Sequence, residues 1–411
     1  MDGFDIAARF TADAPAPAPR FAGLPRYNFI GGHNDPTLIP LDGLIAAATA
    51  VLRREGSALA IYNMAQGPQG YRALRSFVAG KLSDRRGVPA TAEDVLITSG
   101  SGQGIDIVNR LLVGPGDTVL IEEFSYAGAI NRARQSGARV IPLPLDAEGI
   151  RPDAAAAILA DLAARGITPK YIYTIPTIQN PTGSILPLER RHALIALSAR
   201  YGVPIFEDEC YADLLWHDVD APPALRALAP AQVIHIGSFS KSLAPALRLG
   251  YAAADWPVLA RMIAAKNDGG TGAIDQMVAA EYFTHHFAAH IDRLSAGLEA
   301  KQAVMQEALA REFGTAIETW QPRGGIFVWM KLPATVDVRT LLAPALAAGV
   351  AFNPGPEWAV DAEAAKSHLR LCFALPTGEE IRAGVAAFAR VCHAVTGIPV
   401  HSANLRNPGP G

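Results

Sequence analysis

From residue 95 onward, short apolar runs alternate with longer stretches of helical periodicity. The runs read "DVLITSG", "DTVLIEE", "ARVIPLPL", "YIYTIP", "VPIFEDEC" and "VIHIGSFS". A run apolar on both faces is a strand covered on both sides, and helix-length connections between such strands make them parallel. The pattern predicts an α/β fold, a three-layer sandwich with a mainly parallel central sheet. Ligands of such sheets collect at the carboxyl ends of the strands, and that is where the chemically informative residues of this chain fall.

The rest of the chain is arranged around that block. The stretch "TADAPAPAPRFAGLPR" reads as an extended arm. Helices are predicted over roughly 41 to 55, beginning near Asp42, and over roughly 70 to 84, where Leu74, Phe77, Val78 and Leu82 share a face. A third covers roughly 103 to 113. Beyond about 275 a long helix ends near Glu312. It is followed by "GGIFVWMKLP", "HLRLCFALP" and an amphipathic helix over roughly 378 to 395, which together read as a smaller α+β domain. The expected division is an arm with part of the small domain (1–65), a large cofactor-binding domain (66–290), the rest of the small domain (291–400) and a flexible tail (401–411).

Composition narrows the function. A chain of 411 residues, half apolar and 18% charged, can bury a large core. Its net charge of -3 and the lack of a basic run argue against nucleic acid as a partner. No apolar run reaches membrane-spanning length, and "MDGFDIAARF" lacks a secretory leader pattern. Cys210, Cys372 and Cys392 are far apart and form no metal or disulfide pattern, as in a reducing cytoplasm.

Four stretches carry chemistry. In "ITSGSGQGIDIV" a strand runs through Ser101 and Gly102 into a helix, an anion site made of exposed amides. A dinucleotide fingerprint competes, with Glu122 and Glu123 about twenty residues on, but the glycines read GxGxG. A bare strand-to-helix turn is the third reading. In "TIQNPTGSI", Asn180 sits at a strand's carboxyl end, either in a plain turn or as an amide donor to a ligand. "VPIFEDECYADL" places Glu207, Asp208 and Glu209 together. No further ligand recurs at metal spacing, so no metal site is expected. Asp208, with Tyr211 three residues on, suits a buried carboxylate facing a cationic ring nitrogen. In "GSFSKSLAPALRLG", Lys241 lies between hydroxyls, with Ser238, Ser240 and Arg248 suited to a phosphate. A lysine near other cations and away from water loses its proton more readily and becomes a nucleophile. His286 and His290, four apart in "HHFAAH", lack the glutamate of a zinc helix and read as a solvated helical face.

Taken in order, the glycine-rich loop, NPTG, the aspartate with its tyrosine, and SxSK with a following arginine resemble the aminotransferases of class I and II. These are enzymes of the type I fold that binds pyridoxal 5'-phosphate (PLP). The likeness runs from about Phe29 to Val395 and is greatest to the branch holding 2-aminoadipate and multi-substrate aminotransferases. It implies that Lys241 forms a Schiff base with PLP and shuttles a proton, and that Asp208 pairs with the ring nitrogen. It implies that Asn180 and Tyr211 bond the phenolic oxygen and Tyr126 stacks on the ring. Ser101, Gly102, Ser238, Ser240 and Arg248 would hold the phosphate. Arg370 would clamp the substrate α-carboxylate beside Gly32. Tyr62 would reach the phosphate of a neighbouring subunit, which implies a homodimer with shared sites.

Departures from the family pattern bear on the substrate. His33, Asn34 and Asp35 stand where the branch has apolar residues over the substrate side chain, so His33 becomes a substrate-binding candidate. Gly272 replaces a common serine, and no helix with an arginine for a distal carboxylate is found in the arm. The expected reaction moves an amino group between an L-amino acid and a 2-oxo acid. Rivals are another PLP reaction (decarboxylation, elimination or replacement, carbon–carbon bond formation, oxidative deamination), a ligand-sensing regulator and a nicotinamide-dependent dehydrogenase.

Overall fold

The computed structural model describes residues 5–399, apart from 12, 13, 15, 16, 19 and 22. The predicted arm falls partly, and the predicted tail wholly, outside the described residues.

Seven strands form the central sheet: β1 (Val95–Thr98), β2 (Thr118–Glu122), β3 (Arg139–Leu143), β4 (Ile172–Thr174), β5 (Ile205–Asp208), β6 (Val233–Ser238) and β7 (Gly250–Ala253). Their order across the sheet is β1-β7-β6-β5-β4-β2-β3. The pairs from β3 across to β6 are parallel, and β7 runs antiparallel to both β6 and β1. Except for the edge strand β3, every strand is buried along its whole length, as expected for a sheet with helices on both faces.

The six strands read from the sequence are present, and β7 is the one that sequence reasoning missed. Gly-Tyr-Ala-Ala has no β-branched residue and little strand propensity. Its small residues have a steric cause. A Cβ on Gly250 would lie 2.6 Å from the Ser101 amide nitrogen, so the strand passes tightly beneath the glycine-rich loop.

The longer helices are α1 (Leu41–Glu55), α2 (Arg72–Arg86), α3 (Ser101–Leu112), α4 (Ala127–Gln135), α5 (Pro152–Ala164), α6 (Leu188–Tyr201), α7 (Trp256–Ala265), α8 (Ala273–Phe313) and α9 (Gly378–Thr396). Local chemistry sets their ends. α2 stops at Gly87, in the left-handed region at φ +69°, and α9 starts from a Thr377–Glu380 capping box.

α8 is 41 residues long and joins two cores. Met277 and Phe283 pack with Leu74 and Val78 of α2, whereas Leu298, Met305 and Leu309 pack with the strands that follow. Those strands are β8 (Glu318–Thr319), β9 (Phe327–Lys331), β10 (Asn353–Pro354) and β11 (His368–Cys372), in the order β8-β9-β11-β10 and antiparallel throughout. Phe29 belongs to this second core, and its carbonyl accepts from the Cys372 amide at 2.9 Å. That seat delivers the following residues, Ile30 to Asn34, to the face of the large sheet.

Between α2 and the loop after β5, Lys81 Nζ meets Asp213 at 2.9 and 3.2 Å, with both side chains buried. Burial opposes the ammonium most strongly of any one influence, but the Asp213 carboxylate and the Tyr251 hydroxyl together outweigh it and raise the Lys81 pKa. Lys81→Met should strand Asp213 as a lone buried charge and cost about 3–5 kcal/mol. Denaturant unfolding checks this, and Asp213→Leu in the same chain should restore most of the loss.

Candidate active site

Of three consecutive acids at the end of β5, the pleat sets Asp208 apart from Glu207 and Glu209, because alternate side chains leave a strand on opposite faces. Glu209 turns away from the strand ends. Its oxygens take two bonds of 2.7 Å from Arg86 and one of 2.8 Å from Thr177. Burial pushes this carboxyl up, yet the charge and hydrogen bonds of Arg86, with His235 and Arg191 nearby, bring it below the usual carboxylate range. Glu207 accepts from the amides of Leu225 and Arg226 at 2.6 and 3.2 Å and meets His235 Nδ1 at 2.8 Å. Asp208 alone of the three lines a cavity of about 360 Å³ at the carboxyl ends of the strands. Tyr173 donates to one of its oxygens at 2.7 Å and the Cys210 amide to the other at 3.1 Å. Burial holds its pKa above the usual carboxylate value, and among the described residues it forms no ion pair.

Lys241 enters the same cavity from the loop after β6. Its Nζ donates to the Gly32 carbonyl at 2.5 Å. Burial lowers its pKa, and the Arg370 and Arg248 charges act in the same direction. A Cβ on Gly32 would collide with Nζ, so only glycine permits this approach. The loop itself is clamped through its carbonyls. Asn34 Nδ2 donates to Ser240 O at 3.2 Å and Leu243 O at 3.1 Å, and His290 Nε2 reaches Ser242 O at 2.8 Å. His290, expected on a solvated face, is therefore buried beneath the lysine loop at 2% exposure. α8 carries it inward at a point where the sequence shows only a run of histidines.

At the anion end, Ser101 and Gly102 open α3 and point unpaired amides into the cavity. Ser238 and Ser240 line the same wall. Arg248 sits in the left-handed region at φ +54°, which brings its guanidinium against Gly100, where a Cβ would clash. Opposite, Arg370 leaves β11 fully buried. Its Nη1 donates to Asn180 Oδ1 at 2.9 Å, and its Nη2 donates to Gly31 O at 2.7 Å and Asn353 Oδ1 at 2.9 Å. The Trp358 ring lies 3.6 Å from the guanidinium carbon, and Arg370 Nε has no partner. Among the described residues no carboxylate pairs with it. Asn180 also donates to the Tyr211 hydroxyl at 3.2 Å. Tyr126 caps α4 and lines the cavity beside Trp358.

Of the residues singled out from the sequence, twelve converge here: Gly32, Ser101, Gly102, Tyr126, Asn180, Asp208, Tyr211, Ser238, Ser240, Lys241, Arg248 and Arg370. Two do not. Tyr62 is 88% exposed on the surface. His33 folds back over Gly31 and does not line the cavity. Nor do its neighbours face a substrate. Asn34 clamps the lysine loop, and Asp35 pairs with Lys301 at 2.6 Å and accepts from the Thr37 amide at 2.8 Å. Arg132, Asn353 and Trp358 line the cavity unforeseen. Arg132 sits on α4, Asn353 on the two-residue strand β10 and Trp358 at the end of the 3-10 turn that follows it, with no motif around them.

The family model for "Aminotransferase class I and II" matches residues 34–388. The chain belongs to the class I and II aminotransferases. Such an enzyme moves an amino group between an L-amino acid and a 2-oxo acid, with PLP as its cofactor. The chain is 33% identical to 2-aminoadipate transaminase of Thermus thermophilus over 368 residues, 88% of this chain and 89% of that protein. The crystal structure of LysN, an α-aminoadipate aminotransferase of Thermus thermophilus complexed with N-(5'-phosphopyridoxyl)-L-leucine, superposes with a TM-score of 0.83. It is 33% identical and covers 90% of this chain and 93% of its own. The multiple substrate aminotransferase of Thermococcus profundus gives 0.85 at 29% identity, covering 92% and 93%. The cavity of this aminotransferase fits PLP on its own terms. It has a wall of unpaired amides with an arginine, a buried carboxylate without a cation, an amine, and a guanidinium with an unused donor.

One buried acid behind the site makes a separate prediction. Glu122, which a dinucleotide site would have used for a ribose, instead accepts from Thr174 at 2.7 Å, Ile175 N at 3.1 Å, Gln179 at 2.9 Å and Ser125 at 3.3 Å. Gln179 in turn holds Thr182 of the NPTG turn. Burial without a cation pushes Glu122 up to about 7. Its folded pKa exceeds its unfolded one, so stability is lost as pH rises from about 4.5 through about 7. The unfolding midpoint of the apoprotein should therefore fall relative to Glu122→Gln between pH 5 and 8. Parallel curves for the two proteins would refute it.

Proposed function

We propose that this aminotransferase works through Lys241, with Asp208, Asn180, Tyr211 and Arg370 as its immediate partners. One observation carries the reading: a single buried cavity holds an amine with a lowered pKa and a guanidinium that lacks a carboxylate. PLP, when bound, supplies an aldehyde carbon and an electron-accepting ring. Ser101, Gly102, Ser238, Ser240 and Arg248 would hold its phosphate, Asp208 its ring nitrogen, Asn180 and Tyr211 its phenolic oxygen, and Tyr126 its face.

Lys241 provides the nucleophile. Its lowered pKa raises the share of neutral amine at any working pH. As a free amine beside the substrate, the same Nζ would take the proton from the substrate Cα and hold it for return. Gly32 O and the clamped loop keep that nitrogen in place, so little ordering remains for the reaction itself. Arg370, held rigid by three oxygen acceptors and the Trp358 ring, receives the α-carboxylate and so orients the Cα–H bond.

The reading also includes a homodimer. Leu41, Ile45 and Leu52 recur at helical spacing on the outer face of α1, all exposed, and Ile61 and Tyr62 are exposed nearby in sequence. The adjoining Asn63 abuts Gly270, and Thr271 next to that glycine contacts Ser99 at the glycine-rich loop. Tyr62 thus stands one loop away from the anion end, where a second subunit could use it. A reducing compartment suits the thiols Cys210, Cys372 and Cys392, none of which is in a disulfide.

Purified protein should absorb in the visible and form a 2-oxo acid product from an amino-acid panel with 2-oxoglutarate or pyruvate. Cofactor bleaching without that product would sink the transamination reading. Lys241→Ala should cost roughly a hundred- to ten-thousandfold in turnover, and PLP uptake by the apoprotein should slow as pH falls through the lowered Lys241 pKa. Arg370→Ala should weaken donor binding by roughly tenfold or more while the protein still takes up PLP. On a sizing column the wild type should run as a dimer and an Ile45→Asp, Leu52→Asp double variant as a monomer.

A further inference from the structure

Arg132 projects from α4 to the opening turn of α3, facing the cavity from the side opposite its covered floor. Its Nε is held by Asp106 Oδ1 at 2.8 Å, and its Nη1 donates to Gly128 O at 3.2 Å. Two anchors leave Nη2 as the projecting end. That end lies over Gly102, where an added Cβ would come within 3.1 Å. A side chain at residue 102 would thus press on the guanidinium, which could stay only by shifting a few tenths of an ångström. The same relation holds on the other flank, where Arg248 Nη2 approaches Gly100 so closely that a Cβ would collide. Gly100-Ser101-Gly102 is thus a strip of backbone bracketed by two guanidinium groups, each admitted by a residue without a side chain.

Charge supports the same conclusion. Asp208 is the sole carboxylate among the residues lining the cavity, whereas Arg132, Lys241, Arg248 and Arg370 all line it. Asp106, the anchor of Arg132, is 58% exposed, so solvent screens that pair and leaves much of the Arg132 charge unspent. A phosphate monoester carries close to two charges near neutral pH. One arginine and a helix N-terminus, equivalent to about half a charge, fall short of balancing it.

We propose that Arg132 is a second phosphate-binding arginine of this enzyme, closing the anion site from α4 with Asp106 as its positioning residue. The inference rests on the reading of residues 100–102, Ser238, Ser240 and Arg248 as the phosphate site. It adds a ligand group that the motifs of the chain do not contain.

The test uses apoprotein, with binding read from absorbance and fluorescence rather than turnover. PLP and pyridoxal, which lacks the phosphate, are titrated into wild type, Arg132→Ala, Arg132→Lys and Asp106→Asn. Arg132→Ala should weaken PLP by about tenfold and leave pyridoxal unchanged. Arg132→Lys should recover part of the loss, and Asp106→Asn should show a smaller loss of the same kind. Inorganic phosphate should compete less well for the Arg132→Ala site. An equal loss for PLP and pyridoxal, with a lowered unfolding midpoint, would overturn the proposal in favour of a structural role. Unchanged PLP affinity with a raised KM for a dicarboxylic donor would overturn it in favour of a substrate contact. If the wild type bound pyridoxal as tightly as PLP, the phosphate-site reading itself would fail, whatever Arg132 does.

Discussion

Three carboxylates in a row cannot be buried at a strand end unless each finds its own partner. At the end of β5 they do, and much of the molecule is arranged by how. Glu209 draws Arg86 in from α2 and with it fixes that helix to the sheet. Glu207 takes up the amides of Leu225 and Arg226 and the ring of His235, which ties the crossover to β6. Asp208, on the opposite face of the pleat, receives hydroxyl and amide donors but no cation. The cost of burying a lone carboxylate is high, and the donors that Asp208 receives offset only part of it. Structural and functional charge are separated here by nothing more than the two-residue period of a strand.

The cavity holds unspent charge in the other sign as well. Lys241 and Arg370 are buried cations whose hydrogen-bond acceptors are carbonyls and amides rather than carboxylates. Burial lowers the pKa of each. Such groups reduce the stability of the empty protein, and their geometry is kept by surroundings that are themselves rigid. The lysine loop is stapled by Asn34 and His290, which come from distant parts of the chain. Arg370 is stacked on Trp358 and tied to Asn180. Asn180 links that guanidinium to Tyr211, so the residues proposed to hold ring and substrate form one hydrogen-bonded unit.

Much of this was legible in the chain. Six of the seven central strands announce themselves as apolar runs, because a strand covered on both faces has no polar side to conceal it. The exception, Gly250–Ala253, has no β-branched residue, and its first position must be glycine to pass beneath the glycine-rich loop. The sheet rule placed Asn180, Asp208 and Lys241 at strand ends, and local motifs marked them. Arg132, Asn353 and Trp358 went unread, since each reaches the cavity from an element whose local sequence serves its own packing. His33, Asn34 and Asp35 were misread for a related reason. Their polarity looked like recognition of a substrate, but that of Asn34 and Asp35 satisfies the carbonyls of the lysine loop, Thr37 and Lys301.

The sequence by itself determined the layered α/β architecture and the kinds of group at the strand ends, because hydrophobic period and turn chemistry act over a few neighbouring residues. Tertiary structure alone decided which of three adjacent acids faces the cavity, which histidine lies under the lysine, and which arginines flank the glycine-rich loop. Those outcomes depend on pairings between residues far apart in the chain. Desolvation selects such pairings only when the central sheet, α8 and the four-stranded antiparallel sheet close on one another.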